Sequence, residues 1–173
     1  MNKKSSGFTL IEILIAALIS LILLAALFLI FFTGNSSWQM GNVRIELQQD
    51  LRRAMDWTSD ELRQSGSSVI SGVPSDGTPY NTITFRIPTG VTGTTISWDP
   101  TQIQYSLGGP GGRQLLRTYA LDQRVLANNI TSFEIRRQPL TSAILEVALE
   151  AEKSTPKGIL IQLKLDFEVK LRN

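Results

Sequence analysis

The hydrophobic pattern of the chain begins with one long apolar run. From Phe8 to Phe32 almost every position is apolar, and a single carboxylate, Glu12, interrupts the run near its start. As a helix the run measures roughly 37 Å at 1.5 Å per residue, against a bilayer hydrocarbon core of about 30 Å. We therefore predict a membrane-spanning helix over residues 8–33. An isolated carboxylate in such a segment is costly, which makes Glu12 a candidate functional residue.

The second pattern has the helical period and covers residues 34–65. Gly34–Ser37 predicts a weak point before it, with Ser36 or Ser37 as an N-cap, and Gly66 predicts its end. Apolar residues recur there in steps of three and four, which is typical of an amphipathic helix whose one stripe packs against a head domain. The predicted stripe is Val43, Leu47, Leu51, Ala54, Thr58 and Leu62.

Beyond residue 66 the period changes to two, which predicts β-strands. The glycine-rich segment Gly108–Gly112 predicts a hairpin turn; it lacks the lysine that follows a phosphate-binding loop, and Pro110 removes a backbone donor. The predicted fold class is α+β, with a long N-terminal helix packed against an antiparallel β-rich head over residues 66–173. The predicted strands are 82–87, 102–107, 113–119, 130–137, 145–152 and 159–172.

The last two predicted strands have the clearest alternation of apolar and polar residues. We expect them to form a hairpin with its turn near Pro156, which places Glu146 opposite Lys164.

Composition excludes several kinds of chemistry. The chain has no cysteine and no histidine, so disulfides, thiolate or imidazole metal sites and Ser-His-Asp or Cys-His catalysis are excluded. No nucleophile elbow or phosphate loop is present, and we expect no enzyme activity, cofactor or metal. Lys plus Arg total 17 against 15 for Asp plus Glu, which is not the charge of a nucleic-acid-binding protein.

The N-terminal residues add a specific signal. The segment Lys3-Lys4-Ser5-Ser6-Gly7-Phe8-Thr9-Leu10-Ile11-Glu12 resembles the class III signal of type IV prepilins and type II secretion pseudopilins. The resemblance implies that residues 1–7 are a leader peptide, with Lys3 and Lys4 as its basic residues. It also implies that a prepilin peptidase cuts between Gly7 and Phe8 and N-methylates Phe8.

The same resemblance gives Glu12 an assembly role. In such filaments this glutamate lies against the N-terminal amine of the neighbouring subunit, and the ion pair sets the axial register. The alternatives are a plain signal anchor, or a Glu12 that stays near the headgroups or is protonated. The implied partners are prepilin peptidase, other major and minor pilins or pseudopilins, and the inner membrane. The implied location is the inner membrane with a cytoplasmic N-terminus and an external head, followed by the pilus or pseudopilus.

A second resemblance concerns the kind of subunit. The segments Asp60–Gly66 and Lys170–Asn173 are similar to those of PilW-type minor pilins and GspJ-type minor pseudopilins. Phe8–Phe32 contains no proline, whereas major pilins usually carry one there, so the resemblance implies a low-copy initiator or tip subunit.

Two other functions stay open at this level. The chain is alternatively a membrane-anchored binding module or adhesin, for which Trp38, Trp57 or Trp98 would serve if exposed, or a DNA-uptake (competence) pseudopilin. A nucleic-acid partner is not favoured, because acidic residues are interspersed with the basic ones. The candidate basic strip is Arg113, Arg117, Arg124, Arg136 and Arg137.

Overall fold

The structure, a computed structural model, describes residues 8–139 and 143–172. The predicted leader, with Lys3, Lys4 and Gly7, lies outside the described residues. The chain divides into two compact units, one up to Gly41 and one from Asn42. The elements in chain order are α1 (Leu10–Gln64), β1 (Thr82–Phe85), β2 (Pro88–Thr92), β3 (Thr95–Trp98), β4 (Ile103–Gly108), β5 (Gln114–Tyr119), β6 (Asp122–Asn128), β7 (Ile130–Arg137), β8 (Ile144–Ser154) and β9 (Leu160–Lys170).

The first unit is an apolar helix. Its large hydrophobic side chains from Phe8 to Phe32 are exposed in the single chain. Ser20 is a polar residue in the middle of this segment, and its hydroxyl donates to the carbonyl of Ala16 at 2.8 Å, so its hydrogen-bonding need is met within the helix. Among the described residues, α1 is the one helix long and apolar enough, by length and composition, to cross a membrane. The predicted apolar helix is confirmed.

The predicted weak point at Gly34–Ser37 is wrong. Helix α1 runs without interruption from Leu10 to Gln64, so neither Ser36 nor Ser37 is an N-cap. A glycine inside a helix costs about 1 kcal/mol relative to alanine. Helix propagation is cooperative, and the turns on either side of Gly34 are already formed, so this cost does not break the helix.

The second unit contains the core. The amphipathic stripe of α1 is buried as predicted, and all six of its residues are inaccessible or nearly so. It packs with the inward rows of the strands in one hydrophobic cluster, in which Phe85 and Tyr105 meet edge to face with ring centroids 5.2 Å apart. The period of the sequence thus identified the helix face that the head covers.

The strands form three antiparallel sheets. One has four strands in the order β1-β4-β5-β6, one is the ribbon β2-β3, and one has three strands in the order β7-β8-β9. The α+β prediction, with a long helix and an antiparallel β-rich head, is confirmed. Strands β2, β3 and β6 were not predicted. β2 and β6 show no clear alternation of apolar and polar residues, and β3 alternates over only four residues.

The β8–β9 hairpin is real, but its predicted register is wrong. Glu150, and not Glu146, lies opposite Lys164, while Glu146 lies opposite Glu168. The turn follows the last pair, Ser154 with Leu160, and contains Gly158 at a φ of 80°. Glycine adopts this left-handed conformation without steric cost. Pro156 lies in the same turn, as predicted, so only the pairing of the two strands around the turn differs from the prediction. The register differs by an even number of residues, so the apolar rows keep their face.

Gly66 does follow the end of α1, but for a different reason from the one predicted. Its φ is −97°, which is extended and not the left-handed conformation of a glycine cap. A Cβ atom at this position would lie 2.9 Å from the ring of Trp98. Glycine is therefore required by the close approach of Trp98 to the backbone.

Candidate functional site

The start of α1 holds a reciprocal pair of hydrogen bonds. The backbone N–H and the hydroxyl of Thr9 each donate to Oε2 of Glu12 at 2.9 Å. The backbone N–H of Glu12 in turn contacts Oγ1 of Thr9 at 3.4 Å. Because α1 begins at Leu10, Thr9 is the N-cap and Glu12 the third helical residue, which is the arrangement called a capping box.

This capping box fixes the position of the Glu12 carboxylate. It holds the carboxylate at the N-terminal end of the helix dipole, where negative charge is favoured. Within the described residues only Oε2 takes part in these bonds, and Oε1 accepts none. The neighbouring Phe8 side chain is 85% exposed. The carboxylate can therefore cap its own helix and still accept a hydrogen bond from another chain.

Sequence reasoning identified Phe8 and Glu12 but missed Thr9. The spacing Thr-x-x-Glu immediately before an apolar run is itself a capping signal and would have identified Thr9. Gly7, Lys3 and Lys4 are outside the described residues, so the structure does not bring them together with Phe8 or Glu12.

The comparison with known families bears on this same segment. Residues 2–28 match the prokaryotic N-terminal methylation motif. The chain carries the signature of a type IV prepilin-like family. No curated protein and no solved structure matches the chain. The signature implies processing by a prepilin peptidase and assembly with other pilins. Together with the apolar helix, it indicates membrane anchoring.

The head is fastened to α1 by a partly buried ionic cluster. Nε of Arg117 on β5 donates to both carboxylate oxygens of Glu61, at 2.9 and 3.0 Å. The hydroxyl of Tyr105 on β4 donates to Oε2 of Glu61 at 2.6 Å. Burial, and then the nearby Glu61 carboxylate, raise the pKa of Tyr105 far above its usual value. This cluster, Glu61–Arg117–Tyr105, fixes the rotation of α1 against the four-stranded sheet.

Two polar contacts fasten α1 to other parts of the head. Asp50 accepts a hydrogen bond of 2.9 Å from the side chain of Asn129, a residue with a φ of 60° in the turn between β6 and β7. Glu46 pairs with Lys153 near the end of β8. Since these acids lie along α1 on the way to Glu61, the head is attached over several helical turns.

The arginines of the candidate basic strip already have partners. Arg113 pairs with Glu152 at 3.0 Å and Arg136 with Glu134 at 3.5 Å. Arg117 pairs with Glu61, and Arg124 lies over the ring of Trp57. Arg137 donates to the carbonyl of Ser67. The strip is therefore a set of intramolecular contacts distributed over two sheets.

The three tryptophans have different environments. Trp57 is half-buried and lies under the guanidinium of Arg124, 4.6 Å from its ring centroid, and Trp98 packs against Gly66. Trp38 is 67% exposed. Among the described residues, no group of three or more acidic, cysteine or histidine side chains could hold a metal ion.

Proposed function

We propose that this chain is a structural minor pilin or pseudopilin. It is made as a prepilin with Lys3 and Lys4 on the cytoplasmic side of the inner membrane. Prepilin peptidase cuts between Gly7 and Phe8 and methylates Phe8. The subunit then enters at or near the tip of a type IV pilus or secretion pseudopilus and initiates its assembly. The observation that supports this most strongly is the methylation motif running directly into an apolar helix with one carboxylate, Glu12.

The chemistry of assembly rests on Glu12. A carboxylate among packed apolar helices is stable only when it is paired and hydrogen-bonded. Cleavage before Phe8 creates a new amine one residue from Thr9, and every prepilin-like subunit of a filament has the same amine. The free Oε1 of Glu12 accepts the amine of the neighbouring subunit, while Oε2 keeps its bonds to Thr9. Only one axial offset between subunits brings the two charges together, so the pair selects the register.

The minor and initiating role is supported by the helix itself. Phe8–Phe32 contains no proline, and α1 is continuous to Gln64. Without proline, the backbone hydrogen bonds of the apolar segment are complete, and no site is prepared for the local unwinding expected of an abundant shaft subunit.

The test of the assembly chemistry is Glu12→Gln in the full chain, expressed in its native host. The side chain keeps its size and loses its charge. We expect normal membrane association and a methylated Phe8, together with loss of the chain from the sheared filament or pseudopilus fraction. The matched control is Ser20→Ala, which removes a polar group that bonds only its own helix. Incorporation of Glu12→Gln at the level of the control contradicts the proposed pairing.

The test of the tip role is location and copy number. Gold-labelled antibody against the head is expected at filament ends, at a few copies per filament, and deletion of the chain is expected to reduce filament number and not filament length. Labelling along the whole shaft at a ratio similar to the main subunit contradicts the tip assignment.

A further inference from the structure

The outer edge of the three-stranded sheet is formed by β9. In the order β7-β8-β9, this strand pairs with β8 on one side and with no other strand in the described residues on the other side. The pairing with β8 is continuous over the whole strand, from Ile144 opposite Lys170 to Ser154 opposite Leu160. The free side therefore runs the length of β9 and ends just beyond it, where the backbone N–H of Arg172 donates to the carbonyl of Ser65 at 2.9 Å.

Two hydrogen bonds show which backbone groups of β9 are free. The N–H of Leu171 donates to the carbonyl of Ala143 at 2.7 Å, and the N–H of Thr155 donates to the carbonyl of Ile159 at 2.8 Å. Both pairs belong to the register of the β8–β9 ladder. In an antiparallel pair, hydrogen-bonded positions alternate along the strand. The odd-numbered residues of β9 thus bond to β8, and the N–H and C=O groups of the even-numbered residues point to the free side.

The edges of the four-stranded sheet are interrupted, and the β9 edge is not. Strand β1 has four residues and is bridged by Ser71, whose backbone exchanges hydrogen bonds of 2.8 and 3.1 Å with Thr84. Strand β6 has a register shift against β5 between Leu115 and Leu116. β9 has no proline, no bulge and no inward charge, which are three of the usual ways of blocking strand addition. Its outward row does carry charges, among them Lys164 and Lys170, which restrict the edge to a strand of complementary charge.

The inward side chains of β9 are only partly covered. Val147, Leu149 and Ala151 on β8 are almost completely buried, whereas the β9 residues opposite them are only partly buried. These partly buried residues are Phe167, Leu165 and Leu163, and Ile161 continues the row, while Val169 near the end of β9 is buried. An apolar stripe thus lies directly beside a row of free backbone donors and acceptors.

A groove continues this stripe toward α1. It has a volume of about 360 Å³, and its apolar walls are Leu51 and Met55 of α1 with Leu163 and Leu165 of β9. Because the groove lies on the inward side of β9, the inward side chains of a strand added at this edge would enter it.

We propose that β9 receives an extended edge strand from another prepilin-like subunit. This inference rests on the proposed function, because it names the surface through which the head selects its neighbour. Main-chain hydrogen bonds to the even-numbered residues supply affinity, and alternate side chains supply specificity. The partner strand has an apolar inward row. Its outward row places an acid opposite Lys164 and bases opposite Asp166 and Glu168, since opposite charges pair favourably across strands.

The test is photo-crosslinking of the full chain in its native host, with p-benzoylphenylalanine in place of Glu168. We expect one crosslinked peptide that belongs to a strand of a second protein carrying its own N-terminal methylation motif. Asp166→Pro removes a free-side N–H while the β8 ladder stays intact, because proline is tolerated where the N–H faces solvent. We expect crosslinking to fall by about tenfold, since blocking an edge hydrogen bond and adding the ring costs at least that in affinity.

The matched control is Asp166→Ala, which loses the same carboxylate and keeps the N–H. We expect its crosslinking to stay within about twofold of the unmodified chain, because an exposed ion pair contributes little. If Asp166→Pro lowers the melting temperature, Asp166→Lys is the second variant: it leaves the backbone intact and reverses one outward charge, and crosslinking is again expected to fall.

Several results overturn the inference. They are equal crosslinking in the proline and alanine variants, crosslinking of β9 only to β9 of a second copy or only to lipid, and stronger crosslinking from Glu150, on the exposed face of β8, than from the edge. The mass of the N-terminal peptide is measured in the same samples. A methylated Phe8 with a failed crosslink rejects the β9 surface alone, whereas an uncut chain rejects the proposed function.

Discussion

The Glu61–Arg117–Tyr105 cluster should be the main polar determinant of how α1 docks in the head. The perturbation is Glu61→Ala. It leaves the guanidinium of Arg117 without its carboxylate and the hydroxyl of Tyr105 without its acceptor. The side chains of Arg117 and Glu61 are only 17% and 14% exposed, so water replaces the lost contacts incompletely.

The size of the effect follows from this exposure. Breaking a fully buried ion pair costs about 3–5 kcal/mol, whereas an exposed pair contributes about 0–1 kcal/mol. The residual solvent access of Arg117 places the cost between these limits, and the lost acceptor of Tyr105 adds to it. We expect Glu61→Ala to lower the free energy of unfolding by about 2–4 kcal/mol. For a domain of this size, that lowers the melting temperature by roughly 6–15 °C.

The assay is thermal unfolding of the detergent-solubilised chain, followed by near-ultraviolet circular dichroism. The matched control is Glu46→Ala. The side chains of Glu46 and its partner Lys153 are 49% and 35% exposed, so their ion pair should contribute less than about 1 kcal/mol to the free energy of unfolding. A double-mutant cycle of Glu61 and Arg117 should give a coupling of about 1–3 kcal/mol. A loss no greater than that of the control, or a coupling near zero, refutes the reasoning.

Three further predictions concern the head. Gly66→Ala should destabilise it by about 1–3 kcal/mol in chemical denaturation, because the new Cβ meets the Trp98 ring, while Gly90→Ala, which meets no atom within 4 Å, should be neutral; equal effects would contradict this. Tyr105 has a raised pKa in the folded head, so above about pH 10 this phenol ionises first in the unfolded chain, and the stability of the fold falls there. Tyr105→Phe should flatten this alkaline decline in melting temperature. An unchanged slope would exclude Tyr105 as its cause. Hydrogen bonds from the side chain and then the backbone of Thr78, and from Tyr80, lower the pKa of Asp76. The ionised carboxylate therefore stabilises the folded head above about pH 4, and this stabilisation is lost below that pH. Asp76→Asn should reduce the fall of the melting temperature in acid, which a pH series of melting temperatures measures.

Local patterns predicted the parts of the fold that depend on burial. The stripe from Val43 to Leu62 has the helical period because one face of α1 is covered by the head. β7 was predicted from residue 130 to residue 137, its observed bounds. In both elements the core imposes the pattern on the sequence, so the pattern reveals the element.

Contacts between distant residues could not be read from the sequence. Glu61 was assigned no partner, although it binds Arg117 and Tyr105 on two strands. Nothing in the local spacing around Glu61 distinguishes it from the exposed acids of the same helix, because its burial depends on the four-stranded sheet that closes over it. The predicted register of β8 and β9 was wrong for a related reason: the turn does contain Pro156, but the local sequence does not say which residues pair on either side of it.

The candidate site shows the same division. A motif and a lone charge in an apolar run are sufficient to predict Phe8 and Glu12 as candidate site residues, because such a charge requires a specific partner. The capping bonds from Thr9 also have a local signal, the spacing Thr-x-x-Glu, but Thr9 was not predicted as a capping residue. The free edge of β9 has no local sequence signal, since the same alternating pattern also describes a strand with partners on both sides.

The most direct test of the central claim is the mass of the mature N-terminus. Protein is taken from its native membrane with and without the prepilin peptidase, and the intact chain and its N-terminal peptide are measured by mass spectrometry. The account predicts a chain that begins at methylated Phe8 only when the peptidase is present. A chain that keeps residues 1–7 in the presence of the peptidase would contradict it and leave a plain signal anchor with a binding head.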